Sequence, residues 1–182
     1  MARLDHIAYR VADRHKTARF FMDAFGYKYQ TEFEIQFEDE SRAQCIALEP
    51  PEKLVEDAPW TTVVSPDGQQ THQAYHMPPE IFISDGDPGS IVGQWVAARG
   101  GVGGIHHLAY QVDSVAETMQ QWREKGYAEF TSQQPLTCPD LVQVFTRPSE
   151  LTGVIYEFIE RGKHGFCQEN VKSLMESTKD CR

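Results

Sequence analysis

At 182 residues, with 40% hydrophobic and 24% charged side chains, the chain has material for one large domain or two small ones, and its balance is that of a globular protein, not a disordered or fibrous one. Lysine and arginine number 17 against 27 aspartates and glutamates, a net charge of −10. That acidity argues against nucleic acid or an anionic membrane as partner, because both need clustered cations, and it weakly disfavours polyanionic ligands such as CoA esters.

In chain order, an apolar stretch around residues 4–11 reads as a first strand. A helix follows over 17–25, where Ala18, Phe21, Met22 and Phe25 fall on one face and Gly26 can end it in the left-handed conformation. Short strands are expected at 29–37, 43–48 and 80–83. Residues 49–77, rich in Pro, Asp, Gln and Thr, form an insertion or long loop without periodicity. A linker helix over 90–99 leads to the glycine-rich break at 100–104. A second strand, helix and three-strand series then covers 105–112, 115–125, 128–131, 141–145 and 154–159, with Gly126 as the helix terminator. In the tail, Val171, Leu174, Met175 and Thr178 make one helical stripe behind Gly165.

The two halves repeat. Leu4-Asp5-His6-Ile7-Ala8-Tyr9-Arg10-Val11 aligns with Ile105-His106-His107-Leu108-Ala109-Tyr110-Gln111-Val112 at an offset of 101 residues, matching His6 to His107, Ala8 to Ala109, Tyr9 to Tyr110 and Val11 to Val112. Each half is a βαβββ module, so an α+β fold of two modules with a C-terminal capping helix is expected. The modules are 1–99 (with the insertion and linker helix) and 100–162, and the lid and tail are 163–182. Two such modules can face each other across a shared concavity.

A histidine inside an apolar strand needs partners for its ring nitrogens. Alone it is most often a satisfied core residue, but at equivalent positions of a duplicated module, pseudo-twofold symmetry brings His6 and His107 to one cavity. Strand alternation then assigns His106 to the opposite face. Glu157, a carboxylate among β-branched and aromatic neighbours, is the natural third ligand. Two imidazoles and a carboxylate form a facial set suited to Fe(II), with Mn, Co, Ni or Zn as alternatives. Glu80, the symmetry mate of Glu157, reads as a fourth ligand, a general base or a strand-end surface group. His72 and His76 have helical ligand spacing but lack the H-E-x-x-H glutamate and read as loop residues, and His15 and His164 as surface residues. No phosphate loop, nucleophile elbow or reactive-cysteine context is present. The chain shows no apolar run near ~20 residues and no secretion-signal core, so a cytoplasmic location is expected. Its four cysteines, Cys45, Cys138, Cys167 and Cys181, are widely spaced and expected as reduced thiols.

These residues resemble the vicinal-oxygen-chelate (glyoxalase/bleomycin-resistance/dioxygenase) superfamily over nearly the whole chain except the insertion. Gly103 to Tyr110 and Gly153 to Glu157 resemble methylmalonyl-CoA epimerases, in which a first-module carboxylate, here Glu80, adds a metal ligand. Leu141-Val142-Gln143-Val144-Phe145-Thr146-Arg147-Pro148, Glu157 to Arg161, and His164 to Leu174 resemble the 4-hydroxyphenylpyruvate dioxygenases. That resemblance implies His6, His107 and Glu157 as iron ligands, Gln143 as a polar group orienting substrate, Phe145 as an aromatic wall, and Phe166 with Val171 as part of a lid. Two features depart from that family: this chain has two modules instead of four, and Val171 and Cys167 replace a phenylalanine and a glycine of the lid, implying a smaller pocket. The resulting expectation is an Fe(II) dioxygenase acting on a small 2-oxo acid. A metal-assisted epimerase or isomerase using Glu80, with Arg42, Lys53 and Arg99 available to a CoA phosphate, is the alternative, and a metal-free binding module is a third class. Both a one-chain site and a strand-exchanged homodimer remain open.

Overall fold

The computed structural model describes residues 2–51, 61–64, 71–74, 78–139, 141–162 and 166–181. The first module comprises β1 (Arg3–Val11), α1 (Arg14–Phe25), β2 (Lys28–Gln36), β3 (Arg42–Glu49) and β6 (Glu80–Gly86), with β4 (Thr61–Val64) and β5 (Thr71–Ala74) inserted before β6. Helix α2 (Ile91–Ala97) links it to β7 (Gly103–Gln111), α3 (Val115–Glu124), β8 (Leu136–Cys138), β9 (Leu141–Phe145) and β10 (Ile155–Arg161), and α4 (Gln168–Ser177) closes the chain.

Eight strands form one curved sheet in the order β2-β3-β6-β1-β7-β10-β9-β8. The repeat read from the sequence is its symmetry. β1 and β7 lie antiparallel at the centre, and each carries the last strand of its own module in parallel on its outer side, β6 beside β1 and β10 beside β7. The fold is thus the expected α+β pair of βαβββ modules.

Local chemistry sets the helix ends. Asp13 accepts from the Lys16 amide and Ser114 from the Glu117 amide, each satisfying a donor of the first turn. Gly26 ends α1 at φ 75°, a conformation open to glycine at little cost. On the convex face, Val11, Ala18, Ile46, Leu48, Ile81 and Ile83 pack beneath α1, and Val112, Val115, Met119, Val144 and Phe158 beneath α3 with Trp122. On the concave face, α2 and α4 cover Ala8, Cys45 and Phe82 through Val92, Trp95, Val171 and Met175. Val171, Leu174, Met175 and Thr178 are all buried, so the tail stripe is the docking face of α4.

Several expectations are corrected. The stripe on α1 meets the sheet only through Ala18 and part of Phe21. Met22 and Phe25 are 37% and 55% exposed, with Phe25 stacking on Phe20 and Phe21 instead. No strand spans 128–131, where a single bridge joins Phe130 to Thr146, and the strand beside β9 is β8. Within the insertion, β4 and β5 form a separate antiparallel pair. Cys138 and Cys167 are disulfide-bonded, because β8 and the entry to α4 meet in space although 29 residues apart in sequence; Cys45 and Cys181 are free and buried.

At the junction of the modules, Gly103 has φ +87°, and a Cβ there would stand 2.0 Å from the Arg10 carbonyl oxygen. A Gly103→Ala substitution combines a left-handed backbone with a backbone clash at the central strand pair. It should cost about 2 kcal/mol or more in urea unfolding. The same change at Gly126, where nothing lies within 4 Å, should show the backbone component alone.

Candidate metal centre

β1, β7 and β10 carry His6, His107 and Glu157 to the floor of the concave face, where they are 1%, 8% and 1% exposed. His6 Nε2 lies 3.3 Å from His107 Nε2 and 3.2 Å from Glu157 Oε2, and His107 Nε2 is 3.0 Å from the same oxygen. Ligand atoms bound at about 2.1 Å in neighbouring octahedral positions stand about 3.0 Å apart, so the three atoms fit one face of a six-coordinate ion. Among the described residues this is the one cluster of histidine, cysteine and carboxylate groups with such convergence.

Both imidazoles are oriented by the residue before them, through paired irregularities in the central ladder. Leu4 pairs with Tyr110 and His6 with Ala109, leaving Asp5 as an extra residue of β1. Ala8 pairs with His107 and Tyr9 with Ile105, leaving His106 as an extra residue of β7. A bulge breaks side-chain alternation and re-aims the extra residue. Asp5 Oδ1 lies 2.7 Å from His6 Nδ1, and His106 Nδ1 lies 2.8 Å from His107 Nδ1. Both contacts leave Nε2 toward the shared position; the Asp5 carboxylate fixes the His6 tautomer, and His107 with Nδ1–H donating to His106 Nδ1 is the tautomer that metal ligation through Nε2 would need. The assignment of His106 to the opposite face is therefore corrected. It is 5% exposed, lines the same cavity as His107, and packs against Trp95 and Phe145. Asp5 was not singled out from the sequence, although it and His106 occupy equivalent positions of the repeat.

Gln143 Nε2 donates to Glu157 Oε1 at 2.6 Å, while Gln143 Oε1 is buried without a partner. Phe145 packs on His107 with ring centres 4.6 Å apart, and Phe166 stacks edge-on to His6 at 5.2 Å and against Phe82 at 4.9 Å. With Val171, Leu174 and Met175 from α4, these side chains enclose a small cavity of about 30 Å³, room for a water or two. Glu80 does not line it. Its carboxylate accepts from Arg161 Nη2 at 2.8 Å, and the same guanidinium pairs with Asp5 at 2.7 Å. His15 is exposed, and Arg99 stacks on Trp95 at 3.6 Å. Only the backbone is described at His72, and His76, His164, Gly165 and Lys53 lie outside the described residues.

The cluster holds a proton of its own. Burial opposes a charged imidazole at His6, but Glu157 and Asp5 outweigh it and push His6 up to about 9. Burial likewise opposes the Glu157 charge, yet His6 and His107 pull that carboxyl down to about 2. Burial holds His107 below its ordinary value. A divalent cation competes with the His6 proton, since a ligand imidazole must be neutral. Loading with Fe(II) or Co(II) at pH 7 should therefore release about one proton per ion. Affinity should fall about tenfold per unit as the pH drops from about 9 toward 7. A pH indicator in weakly buffered protein reads the release, and an uptake or no change would contradict this electrostatic picture.

A family model for the glyoxalase/bleomycin resistance protein/dioxygenase superfamily matches residues 5–137. The chain belongs to this superfamily. Among solved structures, it is similar to a triple mutant of 4-hydroxymandelate synthase from Streptomyces coelicolor, with 21% identity and a TM-score of 0.71 over 98% of this chain and 54% of that one. It thus spans about half of that enzyme's length. It is also similar to a methylmalonyl-CoA epimerase (22% identity, TM-score 0.62, 88% and 95% of the two chains) and to the epimerase of Mycobacterium tuberculosis (19%, 0.59, 87% of each). No curated protein gives a significant match. At such identities the likeness establishes the vicinal-oxygen-chelate fold, whose members bind divalent metals, and the donor set above is chemically suited to one. Among the described residues, no helix is long and apolar enough to cross a membrane.

Proposed function

We propose that the protein is an Fe(II)-dependent dioxygenase that oxidises a small 2-oxo acid. The observation that carries this reading is the facial set of His6, His107 and Glu157 at the floor of an apolar cavity roofed by α4. His6, His107 and Glu157 would hold the ion through one side and would leave positions open to a 2-oxo acid and to dioxygen. Bound Fe(II) supplies the electrons that dioxygen needs to react with a closed-shell organic acid.

The chain's own groups do the rest. Asp5 and His106 hold the two imidazoles in register, and Gln143 fixes Glu157 while keeping an acceptor oxygen for a donor on the substrate. Phe82, Phe145 and Phe166 wall the organic part, and the stripe of α4 keeps bulk water from the reacting centre. In the net change the 2-oxo acid would lose its carboxyl carbon as CO₂ and take up both atoms of one O₂, one in the carboxylate formed at the former keto carbon and the other as a hydroxyl on the organic part. The epimerase alternative needs a base beside the metal. Glu80, the carboxylate in that role by symmetry, is bound to Arg161, and among the described residues lining the cavity Glu157 is the one carboxylate.

Anaerobic titration of the Fe(II)-loaded protein with 2-oxo acids tests the reading. A visible charge-transfer band, followed on aeration by oxygen uptake and CO₂ release in equal amounts, is expected. Deuterium exchange into an acyl-CoA without oxygen uptake would replace it with the epimerase.

A further inference from the structure

Alternation along β1 puts His6, Ala8 and Arg10 on the same concave face, so Arg10 points into the cavity that holds the metal ligands. It is 2% exposed. Among the described residues no carboxylate pairs with it. Among the described residues, its guanidinium donates from Nη2 to Thr178 Oγ1 at 3.3 Å, Trp95 lies 5.8 Å beneath it, and Nη1 has no partner. Neighbouring Cys45 offers no counter-charge, because burial pushes its thiol up to about 12. Burial lowers the Arg10 guanidinium to about 9, which leaves it cationic at neutral pH.

A second unmatched donor accompanies it. With His107 Nδ1–H donating to His106 Nδ1, neutral His106 carries its hydrogen on Nε2, and that atom is buried without a partner. His106 and Arg10 share Trp95 as a packing neighbour and the same cavity wall. A buried guanidinium with a free N–H is costly unless something completes it, and a planar carboxylate matches its fork. The surrounding walls are apolar, and a single positive charge balances one carboxylate, whereas a phosphate dianion would be left half-neutralised.

We propose that Arg10, assisted by His106 Nε2–H, is the receptor for a second carboxylate of the substrate, making this a site for 2-oxo dicarboxylic acids: one end chelates the metal and the other is held by Arg10. The separation suits this, since four residues of strand put the Arg10 backbone about 13 Å from that of His6, and its side chain closes part of the gap. Arg10, His6 and His107 line the same small cavity beneath α4, so a short carbon chain that displaces part of that roof joins the two ends.

This inference rests on the 2-oxo acid reading, and matched ligands separate the two. Calorimetry on metal-loaded and metal-free protein compares 2-oxoglutarate with 2-oxopentanoate, and 2-oxoadipate with 2-oxohexanoate. Each pair has equal chain length and differs in the terminal carboxylate. The wild-type protein should prefer at least one diacid by about tenfold to a hundredfold, the range of a charge-assisted hydrogen bond. Arg10→Met should remove that preference, and Arg10→Lys should retain part of it; melting curves confirm that each variant is folded. Equal wild-type affinities within both pairs, or a preference unchanged in Arg10→Met, overturn the proposal even when the charge-transfer band of metal chelation is present. A preference that depends on Arg10 but comes without that band supports the carboxylate receptor and removes the oxygenase reading.

Discussion

His107→Ala protein should emerge from metal loading with less than about a tenth of the wild-type iron, and its oxygen uptake should fall at least 100-fold, while its fold persists. Removing the ring deletes one of three converging atoms and leaves the other two donors unable to hold an ion against water. Loss of a mere orienting partner typically costs 10–100-fold in metal affinity, so Asp5→Asn and His106→Phe should fall in that range, milder than the ligand variant. The fold should survive because β7 stays paired with β1 and β10 through backbone bonds that do not involve the ring. Elemental analysis beside far-UV circular dichroism makes the comparison. Unchanged metal content in His107→Ala would remove the site assignment.

Breaking the Cys138–Cys167 bond should lower global stability by about 3–4 kcal/mol, the chain-entropy value for a loop of this size. Cys167 is the N-cap residue of α4 and makes no side-chain capping bond, so the covalent link to β8 anchors that end of the helix. Phe166, next to it, packs on His6 and Phe82 and sits under the Arg161 guanidinium at 4.7 Å. Cys167→Ser should therefore loosen the Phe166 side of the roof while Val171, Leu174 and Met175 keep the helix docked. Substrate affinity should fall several-fold with metal content intact. Urea unfolding with and without reductant measures the stability change. Coincident transitions under the two conditions would show that the bridge adds nothing to the roof.

Much of the site could be read from the residue order because it rests on the duplicated modules. His6 and His107 share a repeat position, Glu157 is a charge inside an apolar strand, and α4 shows a 3.6-residue stripe. What escaped depends on register between strands that are distant in sequence. Strict alternation sends His106 outward, and only the extra residue opposite Ala8 and Tyr9 turns it inward. The Cys138–Cys167 bond needs β8 and the entry to α4 to be neighbours, which no spacing reveals. Residues 128–131 alternate apolar and polar side chains as a half-buried strand does, yet the ladder beside β9 is taken by β8, so propensity lost to tertiary pairing. Arg10 could have been found, because His6, Ala8 and Arg10 occupy alternate positions and a cation on the ligand-bearing face of a buried strand is a signal in itself.

The glycine-rich stretch between the modules separates two pieces that each own an incomplete share of the donor set: the first supplies one imidazole, the second an imidazole and a carboxylate. An ion bound there would consequently be a rivet between N- and C-terminal halves. Severing the chain within residues 100–104 would turn an intramolecular site into a heterodimer held by the β1–β7 ladder and tightened by metal, with a chelator loosening it.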